Sequence, residues 1–163
     1  SNETAVGQFP LETVDMMSRI IHTTERSDLY WEAIQARGTA CAADTSDAIA
    51  FAAVHTAQTI GATLIVCATE SGRTAILISR YRPQIPILAL TPSPMVQRRL
   101  ALYFGVIPIV VQQFESVDHI LRTAVATTHM SRLARRGDKI VITAGSHATV
   151  EGSTNLIKVE EMA

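Results

Sequence analysis

Leu64-Ile-Val-Cys-Ala-Thr-Glu-Ser-Gly-Arg-Thr74 is the stretch that decides the fold. Its first half is an apolar run without alternation, the pattern of a strand buried on both faces. Its second half turns abruptly small and hydroxylated, and a helical run over 75–82 follows at once. Strand, hydroxyl-glycine turn and helix start, in that order, make a place where an α/β protein holds an anion. The first N–H groups of a helix have no partners inside it, and the helix dipole favours negative charge. Thr69, Ser71 and Thr74 can donate hydroxyl hydrogen bonds, Gly72 lets a ligand come close to the backbone, and Arg73 supplies charge. This points to a phosphate-bearing small molecule. The plainer alternative is an ordinary strand–helix turn with Ser71 as the N-cap. A P-loop is excluded, because its G-x-x-x-x-G-K-[ST] spacing is missing and no lysine follows Gly72.

The flanking chain repeats the alternation. Thr45-Ser46-Asp47 predicts a capped helix over 48–60, with small Ala48, Ala52, Ala53 and Ala57 for close packing and Gly61 at its end. Arg80-Tyr81-Arg82 puts positive charge in the last turn of the helix after the first strand, and Pro83 stops it. A second buried strand is expected over 85–90. Ser93 as N-cap and Pro94 at the first helical position open a helix to Phe104, closed by Gly105. A third strand over 106–111 contains Pro108, which removes a ladder donor and demotes the strand to a sheet edge. Ser116 caps a long helix through Arg136, and a fourth strand covers 139–144. A loop over 145–153 and a fifth strand over 154–159 complete the chain. That loop is too short for a parallel crossover, so the last two strands should be antiparallel neighbours.

The expected fold is therefore α/β and three-layered: a five-stranded, mainly parallel sheet with helices on both faces. With the third strand at an edge, the simplest order is 3-2-1-4-5. The order reverses between strands one and four, and ligands in such sheets collect at the carboxyl ends beside that point. The turn 69–74 and the loop 145–153 should meet over one crevice. Gly145, Ser146, His147, Thr149, Gly152 and Ser153 are the loop's candidate ligand residues, with Thr154 just beyond. His147 would gain charge as pH falls. Glu70 and Glu151 are awkward beside an anion and should point away or bind a sugar hydroxyl. A flexible hairpin without a ligand is the competing reading of this loop.

At the start, Leu11, Val14, Met17, Ile20 and Ile21 recur at helical spacing behind Pro10, giving an amphipathic helix with no obvious cover nearby. We expect residues 1–26 to be an appended helix and 27–163 the α/β domain. Leu29, Tyr30, Trp31 and Ile34 form a small apolar cluster, with Trp31 as a packing anchor.

Composition excludes several function classes. The 163 residues carry a formal net charge of −1 and 5% aromatics, which argues against a nucleic-acid surface. Two cysteines, Cys41 and Cys67, lack metal-ligand spacing and fit a reducing compartment. No apolar stretch of ~18 residues exists and no signal-peptide pattern opens the chain, so neither a membrane span nor export is expected, and the cytoplasm is. No H-E-x-x-H, G-x-S-x-G or Cys/His pair appears, so no catalytic and no metal-ligating residue is assigned. Residue pattern alone favours binding over chemistry.

Thr69-Glu-Ser-Gly-Arg-Thr-Ala75, with Ser79-Arg-Tyr-Arg-Pro83 and Pro86-Ile-Leu-Ala-Leu-Thr91, closely resembles the C-terminal domain of the pyruvate kinases. Ser1-Asn-Glu-Thr-Ala5 resembles the stretch that ends the family's catalytic barrel, with Asn2 where glycine is usual. Gly137-Asp-Lys-Ile-Val-Ile-Thr143 and Ser153-Thr-Asn155 resemble its closing strands. The resemblance covers essentially the whole chain. It implies a fragment: the last barrel helix plus a regulatory domain that binds a phosphorylated effector and takes part in assembly of the oligomer. Thr69, Ser71, Gly72, Arg73 and Thr74 would hold a phosphate, and Gly145 through Ser153 would close on the sugar. Glu70 stands where lysine is common in members that use fructose 1,6-bisphosphate. The tryptophan and arginine that hold a second phosphate in some members have no counterpart after Val111. A sugar monophosphate or AMP is thus as good an effector. The barrel that holds phosphoenolpyruvate, ADP, magnesium and potassium in this family is not in this chain, so no cofactor and no phosphotransfer are expected of it. An exposed final strand and a homodimer are expected. Two other readings remain: a pure assembly domain with a vestigial phosphate turn, and a small stand-alone phosphate-handling enzyme with His147 as its one candidate base.

Overall fold

A computed structural model describes residues 2–36, 44–145 and 154–163. They fall into two compact units, one within 1–40 and one within 41–163.

The first unit holds α1 (Asn2–Ala5), α2 (Pro10–Glu25) and α3 (Asp28–Ala36). Pro10 occupies the first turn of α2, where a missing N–H costs nothing. No residue of α2 is buried, and Leu11, Val14, Met17, Ile20 and Ile21 are all exposed. Trp31 fastens α3 to the end of α2 by donating its indole N–H to Glu25 O at 2.8 Å, and its ring meets Tyr30 edge-on.

The second unit begins with α4 (Thr45–Ile60) and continues β1 (Leu64–Ala68), α5 (Arg73–Arg80), β2 (Ile87–Thr91), α6 (Pro94–Leu100), β3 (Val106–Val110), α7 (Val117–Ser131), β4 (Lys139–Gly145) and β5 (Thr154–Glu161). The sheet order is β3-β2-β1-β4-β5, parallel except for the antiparallel β4–β5 pair. Pro108 lies on an edge strand, as its missing donor requires.

Side chains alternate across the central strands into two cores. Ile65 and Cys67 of β1, Ile87 and Ala89 of β2, and Val141 of β4 pack under α4, α5 and α6. Leu64, Val66, Leu88, Leu90, Ile140 and Ile142 pack under α7. Each such leucine or isoleucine side chain, fully buried, contributes roughly 1.5–3 kcal/mol. The alanines of α4 bring it close to the sheet, with Ala50 and Ala53 fully buried. Cys67 lies in this core as a free thiol, and burial pushes its pKa up to about 12.

Several element bounds differ from expectation. The N-cap of α4 is Asp44, which accepts from the Asp47 N–H, so the helix starts at Thr45 rather than after the capping triplet. Ser46 and Asp47 are buried members of the helix instead. The helix after β2 ends at Leu100, not Phe104, and α7 ends at Ser131, not Arg136. Arg132 stops α7 in the left-handed region at φ 56, and propensity carries no signal for an arginine there. Beta5 runs on to Glu161, two residues past the expected end.

Candidate functional site

The carboxyl ends of β1 and β4 lie side by side, because the two strands are parallel and paired from Leu64↔Ile140 to Cys67↔Thr143. The turn that leaves β1 therefore sits beside the point where β4 ends and β5 begins. Thr74 Oγ1 and Thr154 Oγ1 are 2.7 Å apart, a buried hydrogen bond across 80 residues of sequence.

Within the turn each hydroxyl has a distinct place. Thr69 is buried, and its Oγ1 accepts from the Gly72 N–H at 2.9 Å, closing the turn locally. Gly72, not Ser71, is the N-cap of α5, and it provides no side-chain cap. The first amides of α5 thus stay unclaimed by any capping side chain, with Ser71 half-buried beside them. Gly72 has φ 86, and a Cβ there would meet Arg99 Nη2 at 3.1 Å, Leu100 Cδ2 at 3.2 Å and Val96 Cγ1 at 3.2 Å. Both the backbone sign and the close approach of α6 demand glycine. Arg73 is exposed, and its guanidinium pairs with Asp44 at 2.8 Å, tying the turn to the start of α4. Thr74 is buried and spends its hydroxyl on Thr154.

Of the loop residues, Gly145 ends β4 and pairs with Thr154. Ser146, His147, Thr149, Gly152 and Ser153, with Glu151, lie outside the described residues.

Four further residues join the site. Arg99 of α6 donates to the Ser71 carbonyl, and with Tyr103 it lines a cavity of about 340 Å³ together with Ser71, Arg73, Ile76 and Leu77. Gln113, from the segment after β3, donates to Glu70 Oε1 at 2.6 Å and holds that carboxylate. Asp44 is the fourth, through Arg73. The sequence signal for Arg99 was indirect. In the order 3-2-1, the helix that follows β2 must lie next to the one that follows β1, and Arg99 is one of its two last-turn arginines.

A second polar cluster is structural. Asp47 is fully buried, and its Oδ1 accepts from Tyr81 Oη at 2.8 Å and from Arg80 Nη2. Burial, and then the Asp47 carboxylate, push the Tyr81 phenol up to about 12. The arrangement locks the end of α5 to the start of α4.

Among the described residues, no group of three or more His, Cys, Asp or Glu is gathered as a metal site needs. No helix among them is long and apolar enough to cross a membrane.

Comparison with known proteins identifies the family. A family model described as "Pyruvate kinase, alpha/beta domain" matches residues 47–160. The chain is 41% identical over 161 residues to the pyruvate kinase of Eimeria tenella, covering 98% of this chain and 30% of that protein. It is 40% identical over 163 residues to one of Agrobacterium vitis, covering all of this chain and 34% of that protein. Against the pyruvate kinase of Bacillus licheniformis it is 41% identical over 159 residues, 27% of that protein's length. The chain thus spans about a third of the length of these curated relatives. The family model spans the α/β unit from the first turn of α4 to the end of β5, and the relatives align over nearly the whole chain: this chain belongs to the pyruvate kinase family and carries its C-terminal α/β domain.

Proposed function

We propose that this chain is the effector-binding and assembly domain of a pyruvate kinase, taking a phosphorylated small molecule at the turn 69–74. The observation that carries the proposal is the uncapped start of α5 beside the end of β4, joined to β5 through Thr74 and Thr154. Ser71 and the amides of Arg73 and Thr74 would hold the phosphate, with Arg73 and Arg99 supplying positive field. Gly145 and the loop that follows would contact the rest of the ligand, and the parent protein would work in the cytoplasm. Glu70 adds a negative charge to the turn itself, its carboxylate held by Gln113, and that charge favours a monophosphate with hydroxyl groups over a bisphosphate. A hexose monophosphate, a pentose monophosphate or AMP fits that chemistry. Phosphate transfer from phosphoenolpyruvate to ADP, the parent activity, would belong to the two thirds of the longer relatives that lie outside this chain, and the exposed apolar stripe of α2 would pack against that part.

The assembly reading rests on the sheet edges. Beta5 is the strand at one edge of the sheet, and Val159 is exposed upon it. Beta3, the opposite edge, carries Pro108 and is the poorer partner.

Calorimetric titration with the three phosphates tests the binding reading. Saturable binding that Ser71→Ala weakens by about 1 kcal/mol supports it. Absence of binding by all three would leave the pure assembly reading in place.

A further inference from the structure

We propose that the groove between α5 and α6 is a second binding site, for a small organic carboxylate that carries an apolar tail. Its ligand class differs from the phosphate assigned to the turn, and it stands or falls separately from that reading.

The placement follows from the sheet order. Helices α5 and α6 pack on the same face of the sheet, with Ile78 of one and Val96 and Leu100 of the other in one core. Beta2 lies on one side of β1 and β4 on the other, so α6 flanks α5 away from the side where Thr74 meets Thr154. Arg73, Ile76 and Leu77 stand at i, i+3 and i+4 on α5 and share one helix face. Arg99 comes from the last turn of α6, and Tyr103 follows four residues on. With Ser71 these residues line the cavity of about 340 Å³, which is in the size range of small-molecule pockets.

The lining divides by chemistry. Ile76, Leu77 and the Tyr103 ring make an apolar wall, and Arg73 and Arg99 make a cationic one. Asp44 balances Arg73. Arg99 binds only a neutral partner, the Ser71 carbonyl, and pairs with no carboxylate among the described residues. It is a positioned positive charge with donors to spare, because a guanidinium carries five N–H groups. No lining residue is acidic, so a cationic ligand would meet two guanidiniums and no counter-charge. A carboxylate matches the planar fork of an arginine with two parallel hydrogen bonds. An inorganic anion would leave the apolar wall uncovered, and the tail over Ile76, Leu77 and Tyr103 removes that surface from water.

The test uses the full chain and 3-phenylpropanoate as probe, with the equally long alcohol and amine as controls. The carboxylate should bind with a Kd of about 1 mM, seen as saturable NMR shifts of the Ile76 and Leu77 methyls and the Tyr103 ring. The alcohol and the amine should bind at least about tenfold more weakly. Arg99→Gln should weaken the carboxylate about tenfold and leave the alcohol unchanged, while Arg99→Lys should cost less than Arg99→Gln. Tyr103→Ala, at an exposed ring, should weaken carboxylate and alcohol alike. Thermal unfolding of each variant checks that the domain is intact, and the three unaltered-chain titrations decide the matter should a variant fail to fold. Saturating inorganic phosphate should leave the carboxylate bound. Equal binding of carboxylate and alcohol, no shift at Ile76 and Leu77, or displacement by phosphate overturns the proposal. A chain that binds the carboxylate here and no phosphorylated ligand overturns only the reading of the turn.

Discussion

Glu70 Oε1 accepts a 2.6 Å hydrogen bond from Gln113 Nε2, so a carboxylate is fixed inside the turn proposed to hold the phosphate. The bond spans 43 residues and joins the turn after β1 to the segment after β3. A negative charge held there works against a second phosphate. Unlike charges about 4 Å apart in water-exposed surroundings gain roughly 1 kcal/mol, and like charges lose as much. Glu70→Lys removes the loss and adds the gain, so it should tighten binding of a sugar bisphosphate by about thirtyfold, measured by calorimetry at fixed ionic strength. Gln113→Ala should release the carboxylate without altering the fold. An unchanged preference between monophosphate and bisphosphate in Glu70→Lys would contradict this role.

Gly72 is constrained twice, by φ 86 and by the atoms of α6. Gly72→Ala should destabilise the domain by about 1–3 kcal/mol, read from urea unfolding, because Val96 and Leu100 are packed core residues that cannot yield freely. A stability within about 0.5 kcal/mol of the unaltered chain would show that α6 does not press on the turn.

The Asp47–Tyr81 bond carries a pH signature. The folded phenol titrates near 12 against an ordinary value of 10.0, so folding holds the proton more tightly than the unfolded chain does. The stabilisation is complete below pH 10 and is lost as pH rises from 10 towards 12. Tyr81→Phe should cost about 1 kcal/mol near neutral pH and remove that part of the alkaline decline. Denaturant melts at intervals from pH 8 to about pH 12 give the comparison.

Most of the fold was legible because two strong signals agreed. Apolar runs from Leu64 and Ile85 marked buried strands, and Pro108 marked the third strand as an edge. The strand order followed from that single proline. Helix ends were read less well. Arg132 ends α7 with a left-handed backbone that its side chain does not advertise, and α6 gives way to a turn at Ala101, where nothing breaks the helical pattern before Gly105. In the turn, Thr69, Gly72 and Thr74 were legible as residue types, but their jobs were not. Thr69 closes the turn and Thr74 bonds Thr154, both decided by packing between distant segments. Arg99 and Gln113 were missed for the same reason: neither belongs to a local motif, and only the sheet order brings them near Ser71 and Glu70.

The pure chain should form no pyruvate from phosphoenolpyruvate and ADP with magnesium and potassium present. It holds about a third of the length of its relatives. Lactate dehydrogenase-coupled turnover above the blank would contradict the division of labour proposed here.

Sedimentation at high concentration should give a dimer through the β5 edge, and only monomer across the accessible range would remove the assembly role.

The central claim is that a phosphate sits on the start of α5. A crystal of the chain soaked in a hexose monophosphate tests it most directly. The account predicts density for the phosphate within hydrogen-bond distance of Ser71 Oγ and the amides of Arg73 and Thr74. Density for the sugar phosphate elsewhere, with that turn open to solvent and bare, would contradict it.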